Sequence, residues 1–170
     1  MEKHIPSINL SKTLKIELNL ERFEDAEELP QDIQDLFKAA VEAREIAYAP
    51  YSNFYVGAAL LLKNGVVIKG NNQENAAYPS GLCAERTAIY YAGANYPDVE
   101  IVRMVISAKA KGKETALPIP PCGACRQALA EYEVKQAKPI EIYFRGGSGP
   151  ILKSSSVENL LPLLFTQKFL

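Results

Sequence analysis

Apolar residues follow two different spacings near the start of the chain. From 10 to 20 apolar and polar side chains alternate, which predicts a strand with one buried face. After an acidic run, Pro30 opens a stretch in which apolar residues recur every three or four positions up to about Tyr48. That spacing predicts an amphipathic helix. The chain is therefore expected to begin with a strand followed by a helix.

Strands and helices are predicted to alternate along the rest of the chain. Apolar runs predict strands near 55–63, 66–70, 101–108, 140–145 and 151–153, and helices are predicted near 83–93, 122–133 and 157–161. Asn64 and Gly65 form a strong hairpin signal between the first two of these strands. Alternation on this scale favours an α/β protein in which helices cover both faces of a mixed sheet.

Composition narrows the classes of protein that the chain can belong to. Its 170 residues, of which 48% are hydrophobic and 23% charged, suit one folded domain. The net charge of −1 provides no overall attraction to nucleic acid or to an acidic membrane surface. The N-terminus lacks the apolar stretch of a secretory signal, and no run is long enough to span a membrane. We therefore expect a cytoplasmic protein that binds neither nucleic acid nor membrane.

Three cysteines stand where predicted helices begin. Cys122 and Cys125 are three positions apart, so their sulfurs share one helix face, and Cys83 supplies a third sulfur from another helix. Helix N-termini favour thiolates, and thiolates suit zinc. The only histidine, His4, is far from them in sequence. Three protein ligands leave one position of a tetrahedral zinc ion open, which is typical of catalytic rather than structural sites.

Two charged residues follow Cys83. Glu85 can lean over the open position and take a proton from water there. Because three thiolates leave a zinc site with a formal charge of −1, we hypothesise that Arg86 offsets this charge. A lone pair such as Cys122 and Cys125 is more often structural or redox-active, so a zinc module without catalysis is an alternative. The combination with Cys83 and Glu85 favours catalysis.

Four motifs together resemble the cytidine deaminase family. They are Tyr51-Ser52-Asn53-Phe54-Tyr55-Val56-Gly57-Ala58-Ala59-Leu60, Asn72-Gln73-Glu74-Asn75-Ala76, Cys83-Ala84-Glu85-Arg86-Thr87-Ala88 and Pro121-Cys122-Gly123-Ala124-Cys125-Arg126-Gln127. The resemblance covers roughly 31–165 and is to the small class with three cysteine ligands, whose members are usually homotetramers. It implies a three-layer α/β/α sandwich with a mixed five-stranded sheet. Residues 29–170 are then the catalytic domain, and 1–28 form an extension that adds a strand or embraces a neighbouring subunit.

The resemblance also assigns roles to residues outside the cysteine cluster. Asn72 and Glu74 match the pair that binds the sugar 3′-hydroxyl, and Phe54 matches an aromatic residue that lines the nucleoside pocket. The backbone amide of Ala84 matches the group that holds the 2-keto oxygen of the base. Phe165 resembles a C-terminal phenylalanine that reaches the pyrimidine bound to a neighbouring subunit.

The activity implied is the hydrolytic deamination of cytidine, and of 2′-deoxycytidine, in pyrimidine salvage. It implies one zinc ion per chain, with Glu85 carrying protons from the attacking water to the base. One departure is Pro120, which stands where many relatives have serine. Deamination of a related aminopyrimidine, such as a nucleoside antibiotic of the blasticidin kind, is an alternative. A deaminase that edits nucleic acid is disfavoured by the net charge of −1. A dimer and a tetramer both remain open.

Overall fold

Six strands and four α-helices alternate along residues 12–170, the part of the chain that the computed structural model describes. They are β1 (Glu21–Phe23), α1 (Gln31–Glu45), β2 (Phe54–Leu62), β3 (Val67–Asn71), α2 (Ala84–Asn95), β4 (Ile101–Ala110), α3 (Gly123–Gln136), β5 (Glu141–Arg145), β6 (Ile151–Ser154) and α4 (Val157–Leu160). Every helix and strand predicted from Pro30 onward is present, with ends that differ by a few residues. No helix within 12–170 combines the length and apolar character needed to cross a membrane.

The strands form one mixed sheet in the order β1-β6-β5-β4-β2-β3. Only β4 and β5 run parallel among these strands, and the other neighbours are antiparallel. One hydrophobic core joins the sheet to α1, and a second joins its other face to α2, α3 and α4. The predicted three-layer α/β/α sandwich is confirmed.

The sheet has six strands rather than the five expected, because Glu21–Phe23 form an additional edge strand, β1. The strand predicted over 10–20 is wrong within the described residues, since 12–20 have no regular structure and 10 and 11, like His4, lie outside them. The register explains the shift. Glu21 pairs with Lys153 of β6, which ends at Ser154, so residues before 20 run past the end of this neighbouring strand. Alternation alone does not reveal where a partner strand ends.

Close contact between β3 and α2 brings the start of that helix down onto the sheet. A Cβ atom on Gly70 would lie 2.5 Å from the carbonyl oxygen of Ala84 and 2.7 Å from the backbone nitrogen of Ala88. Both are backbone atoms of α2, so no side-chain movement could relieve the clash. The absence of a side chain at Gly70 therefore sets the depth at which α2 begins, and Cys83 is the residue just before it.

Candidate metal centre and active site

The three predicted ligands come together at the N-termini of two neighbouring helices. Cys83 is the N-cap of α2, Cys122 is the N-cap of α3, and Cys125 lies in the first turn of α3. Their sulfur atoms all lie within 4.8 Å of one another, and the Cys83 and Cys122 sulfurs are 4.0 Å apart. Cys125 is buried, whereas Cys122 faces solvent. The cluster is thus open on one side.

The cluster fits a zinc ion by its donor set and its dimensions. Thiolates bound about 2.3 Å from a tetrahedral zinc are about 3.8 Å apart, so a contraction of at most about 1 Å would bring these sulfurs into place. All three cysteines are free thiols. Unpaired amides at two helix N-termini also face the cluster, which favours the negative charge of thiolate ligands. Three sulfurs leave the fourth position for water or substrate.

Contacts within the sulfur cluster favour the thiolate form of Cys83. Hydrogen bonding from the Cys125 thiol, together with a contact from Arg86, lowers the pKa of Cys83 to about 5 although partial burial opposes this. The pKa of Cys125 is raised, because its proton is held by Cys83 and because it is buried. Arg86 Nη2 lies 3.7 Å from the Cys83 sulfur, which is the contact that the charge-offset hypothesis requires.

The carboxyl group of Glu85 sits beside the sulfur cluster and is almost fully buried. Its exposed fraction is 4%, and it lines the pocket that opens above the cluster. Burial, and then the negative charge of Cys83, raise the pKa of this carboxyl group. A bound divalent cation would act in the opposite direction. A carboxyl group placed between these influences is suited to taking up and releasing protons.

A pocket of about 540 Å³ connects the sulfur cluster to the surface. Its lining includes the following residues assigned from the sequence: Phe54, Asn72, Glu74, Cys83, Glu85, Arg86 and Cys122. Ala84 is fully buried as the first residue of α2, and its amide has no partner within the helix. Phe165 is 58% exposed and stacks on Phe169. In the described part of the chain, 12–170, it does not line this pocket.

Comparison with known proteins identifies the family. The family model described as "Cytidine and deoxycytidylate deaminase zinc-binding region" matches residues 30–139, a span that contains all three cysteines. The chain belongs to this family. Membership in a zinc-binding family, together with the gathered sulfurs, makes zinc its cofactor.

Several proteins named cytidine deaminase are similar to the chain over most of their length. One from Halalkalibacterium halodurans is 46% identical, covering 79% of this chain and 95% of that protein. Another, from Sporosarcina psychrophila, is 40% identical, covering 81% of this chain and 93% of that protein. The crystal structure of cytidine deaminase from Burkholderia pseudomallei has a TM-score of 0.64 at 40% identity, with coverage of 77% and 97%. The part of this chain without counterpart in these proteins is thus about a fifth of its length.

The polar pair Asn72 and Glu74 is held by hydrogen bonds at the pocket wall of this deaminase. The Asn72 amide donates to the Phe54 carbonyl at 2.9 Å and accepts from the Val56 amide at 2.8 Å. The Glu74 carboxylate accepts from the Ser52 hydroxyl and from the backbone amides of residues 51 and 52. Although burial opposes it, this hydrogen bonding keeps the pKa of Glu74 below its ordinary value. The carboxylate is therefore charged and fixed in direction.

Sequence reasoning missed two residues that position this site. Ser52 donates a hydrogen bond to Glu74 and precedes Asn53, whose φ of 53° marks a tight turn before β2. The signal in the sequence is the asparagine, which adopts positive φ more readily than most residues. Arg126 donates to the carbonyl of Pro121 at 2.8 Å and to that of Leu160 at 2.9 Å. It thereby ties the loop before the α3 cysteines to the end of α4. Arg126 belongs to one of the four family motifs, but only the fold shows what it contacts.

Proposed function

We propose that this deaminase hydrolyses cytidine to uridine and ammonia, using one zinc ion held by Cys83, Cys122 and Cys125. The observation that carries the proposal is the buried Glu85 carboxyl group beside three convergent sulfurs in a pocket of about 540 Å³. A proton-carrying group next to an open metal position is what hydrolysis of an aminopyrimidine needs. Relatives with 40–46% identity that are named cytidine deaminase support the same substrate.

In the proposed reaction Glu85 moves the protons. Zinc supplies the Lewis acidity that makes water a nucleophile near neutral pH. Glu85 accepts a proton from the attacking water and donates it to ring N3 as the water oxygen adds to C4. It then delivers the second proton of the water to the amino nitrogen, so that the C4–N bond breaks and ammonia leaves. Arg86 stabilises the Cys83 thiolate throughout.

Asn72 and Glu74 support a nucleoside rather than a nucleotide as substrate. Both line the pocket, and the charged Glu74 carboxylate would repel a phosphate on the sugar. In this proposal they bind the 3′-hydroxyl, which cytidine and 2′-deoxycytidine share, so that both are substrates. Phe54 lines the nucleoside pocket, and the backbone amide of Ala84 binds the 2-keto oxygen.

A homotetramer in the cytoplasm completes the proposal, with a role in pyrimidine salvage. Large side chains are exposed near the C-terminus and the pocket mouth, among them Phe165 at 58%, Phe169 at 70% and Tyr78 at 75%. Their burial between subunits would stabilise an assembly, and Phe165 would then enter a neighbour's pocket. A reducing compartment keeps the three cysteine ligands free to bind metal.

The test is ammonia release from cytidine by wild-type protein, by Glu85→Gln and by Glu131→Gln, with zinc measured in each. Glu131 is an exposed glutamate on α3 and serves as the matched control. We expect Glu85→Gln to retain zinc while its kcat falls by about 10² or more, because a general acid–base group is removed. Equal rates for Glu85→Gln and wild type would refute the proposed role. No release from cytidine, but release from deoxycytidylate or a single-stranded oligonucleotide, would refute the substrate.

A further inference from the structure

Residues 12–18 lie at the protein surface just before the edge strand β1. Leu14, Ile16 and Leu18 are 78%, 49% and 47% exposed. Within residues 12–170, no backbone–backbone hydrogen bond involves this stretch, whose nearest anchor is the pair of hydrogen bonds between Asn19 and Asn159. In the described sheet β1 pairs only with β6, so its other edge is open. The segment therefore offers both unpaired backbone and exposed apolar side chains to a further strand.

The sequence of this segment is complementary to itself. Leu14-Lys15-Ile16-Glu17-Leu18 has apolar residues at its centre and ends, with opposite charges on either side of the centre. If two copies pair antiparallel with Ile16 opposite Ile16, each Lys15 faces the Glu17 of the other copy. Leu14 then faces Leu18 on the apolar side. A two-fold axis requires this kind of self-matching surface, whereas an unrelated partner does not.

We propose that residues 14–18 of two copies pair as antiparallel strands about a two-fold axis at Ile16. The pairing gives hydrogen-bond partners to the unpaired backbone groups of this stretch and forms ion pairs between Lys15 of one copy and Glu17 of the other. Within one chain these two side chains contact each other. Ile16 also shares a shallow surface pocket with Pro162 and Leu163, and Leu163 is 86% exposed. The apolar side chains of the second strand would extend this patch. The inference is independent of the proposed activity.

Cysteine cross-linking of the full-length, zinc-loaded protein tests the register. Opposite Cα atoms in an antiparallel pair are about 4.5–5.5 Å apart, which allows a disulfide. Residue 14 of one copy would lie about 14 Å from residue 14 of the other, which does not. We therefore expect Ile16→Cys to form a covalent dimer under mild oxidation at least about tenfold faster than Leu14→Cys, because only its thiols are held together. A mixture of Leu14→Cys and Leu18→Cys should form the mixed dimer.

Charge reversal in the Ile16→Cys background separates specific pairing from chance collision. Lys15→Glu or Glu17→Lys alone places like charges opposite each other and should slow cross-linking by about tenfold. Both changes together restore opposite charges and should restore the rate. Equal rates for Ile16→Cys and Leu14→Cys, or a double reversal as slow as the singles, would overturn the proposal. Either result would leave the segment as an exposed strand-like arm or as a site for another protein.

Discussion

Replacing Gly70 by alanine is expected to disturb the metal site without touching a ligand. The new Cβ would lie 2.5 Å from the Ala84 carbonyl oxygen, whereas an ordinary contact needs at least 3.4 Å. The start of α2 and strand β3 must therefore move apart by about 0.9 Å. Such movement of α2 carries Cys83 with it. Metal–ligand distances are held to about 0.2 Å, so this displacement is large for a zinc ligand.

The expected cost is that of forcing a methyl group into a packed interface, about 1–3 kcal/mol of unfolding free energy. For a chain of this size each kcal/mol lowers Tm by about 2–4 °C. Gly123→Ala is the matched control, because it places the same methyl group beside Cys122 with no atom within 4 Å and no positive φ. Because Gly123 lies in the exposed first turn of α3, this substitution should leave the free energy of unfolding unchanged or raise it slightly.

The two variants are compared by calorimetry, by zinc content after dialysis and by kcat/KM for cytidine. We expect Gly70→Ala to lose stability, zinc and activity together, and Gly123→Ala to keep all three. If Gly70→Ala matched Gly123→Ala in Tm and zinc content, the close approach of β3 and α2 would not set the position of the ligand. Loss of stability with full zinc retention would likewise refute the link between this contact and the metal site.

Two further predictions concern residues that contact the site's charged groups. Arg86→Gln removes the cation 3.7 Å from the Cys83 sulfur, and we expect faster zinc loss to a chelator or lower kcat/KM; unchanged values for both would defeat the charge-offset hypothesis. Ser52→Ala removes the hydroxyl group that donates a hydrogen bond to Glu74. We expect KM for cytidine to rise about three- to tenfold, with less effect on kcat, because a hydrogen bond to a charged group contributes about 1 kcal/mol or more. A fall in kcat at constant KM would instead assign Ser52 a role in chemistry.

Local patterns in the sequence were sufficient for most of the fold and for the centre of the site. The three-to-four-residue spacing after Pro30 and the Asn64-Gly65 turn each predicted an element that is present, because both signals depend on near neighbours in the chain. Cys83, Cys122 and Cys125 could be grouped as metal ligands because the only histidine is distant in sequence. The cysteines also stand where helices were predicted to begin. The grouping of the three cysteines, which depends on residue type and local spacing, could thus be predicted from the sequence.

Features that depend on contacts between residues distant in the chain could not be predicted from the sequence. The strand predicted over 10–20 formed instead at β1, since pairing was decided by where β6 ends. Glu74 was assigned to substrate, but its hydrogen bonds to residues 51 and 52 arise only when the two loops meet. Likewise Gly70 carries no sequence signal of its contact with Ala84. Each of these is a tertiary contact that no local pattern encodes.

The separation of the ligands along the chain has a consequence for how the protein is made. Cys83 precedes Cys122 by 39 positions, with β4 between them. A ribosome releases the N-terminal part first, so the full set of sulfurs exists only after residue 125 has emerged. By then β2, β3 and β4 are all available to pair. The three sulfurs can therefore hold zinc together only after four of the six described strands have been synthesised, and binding of the metal would join α2 to α3.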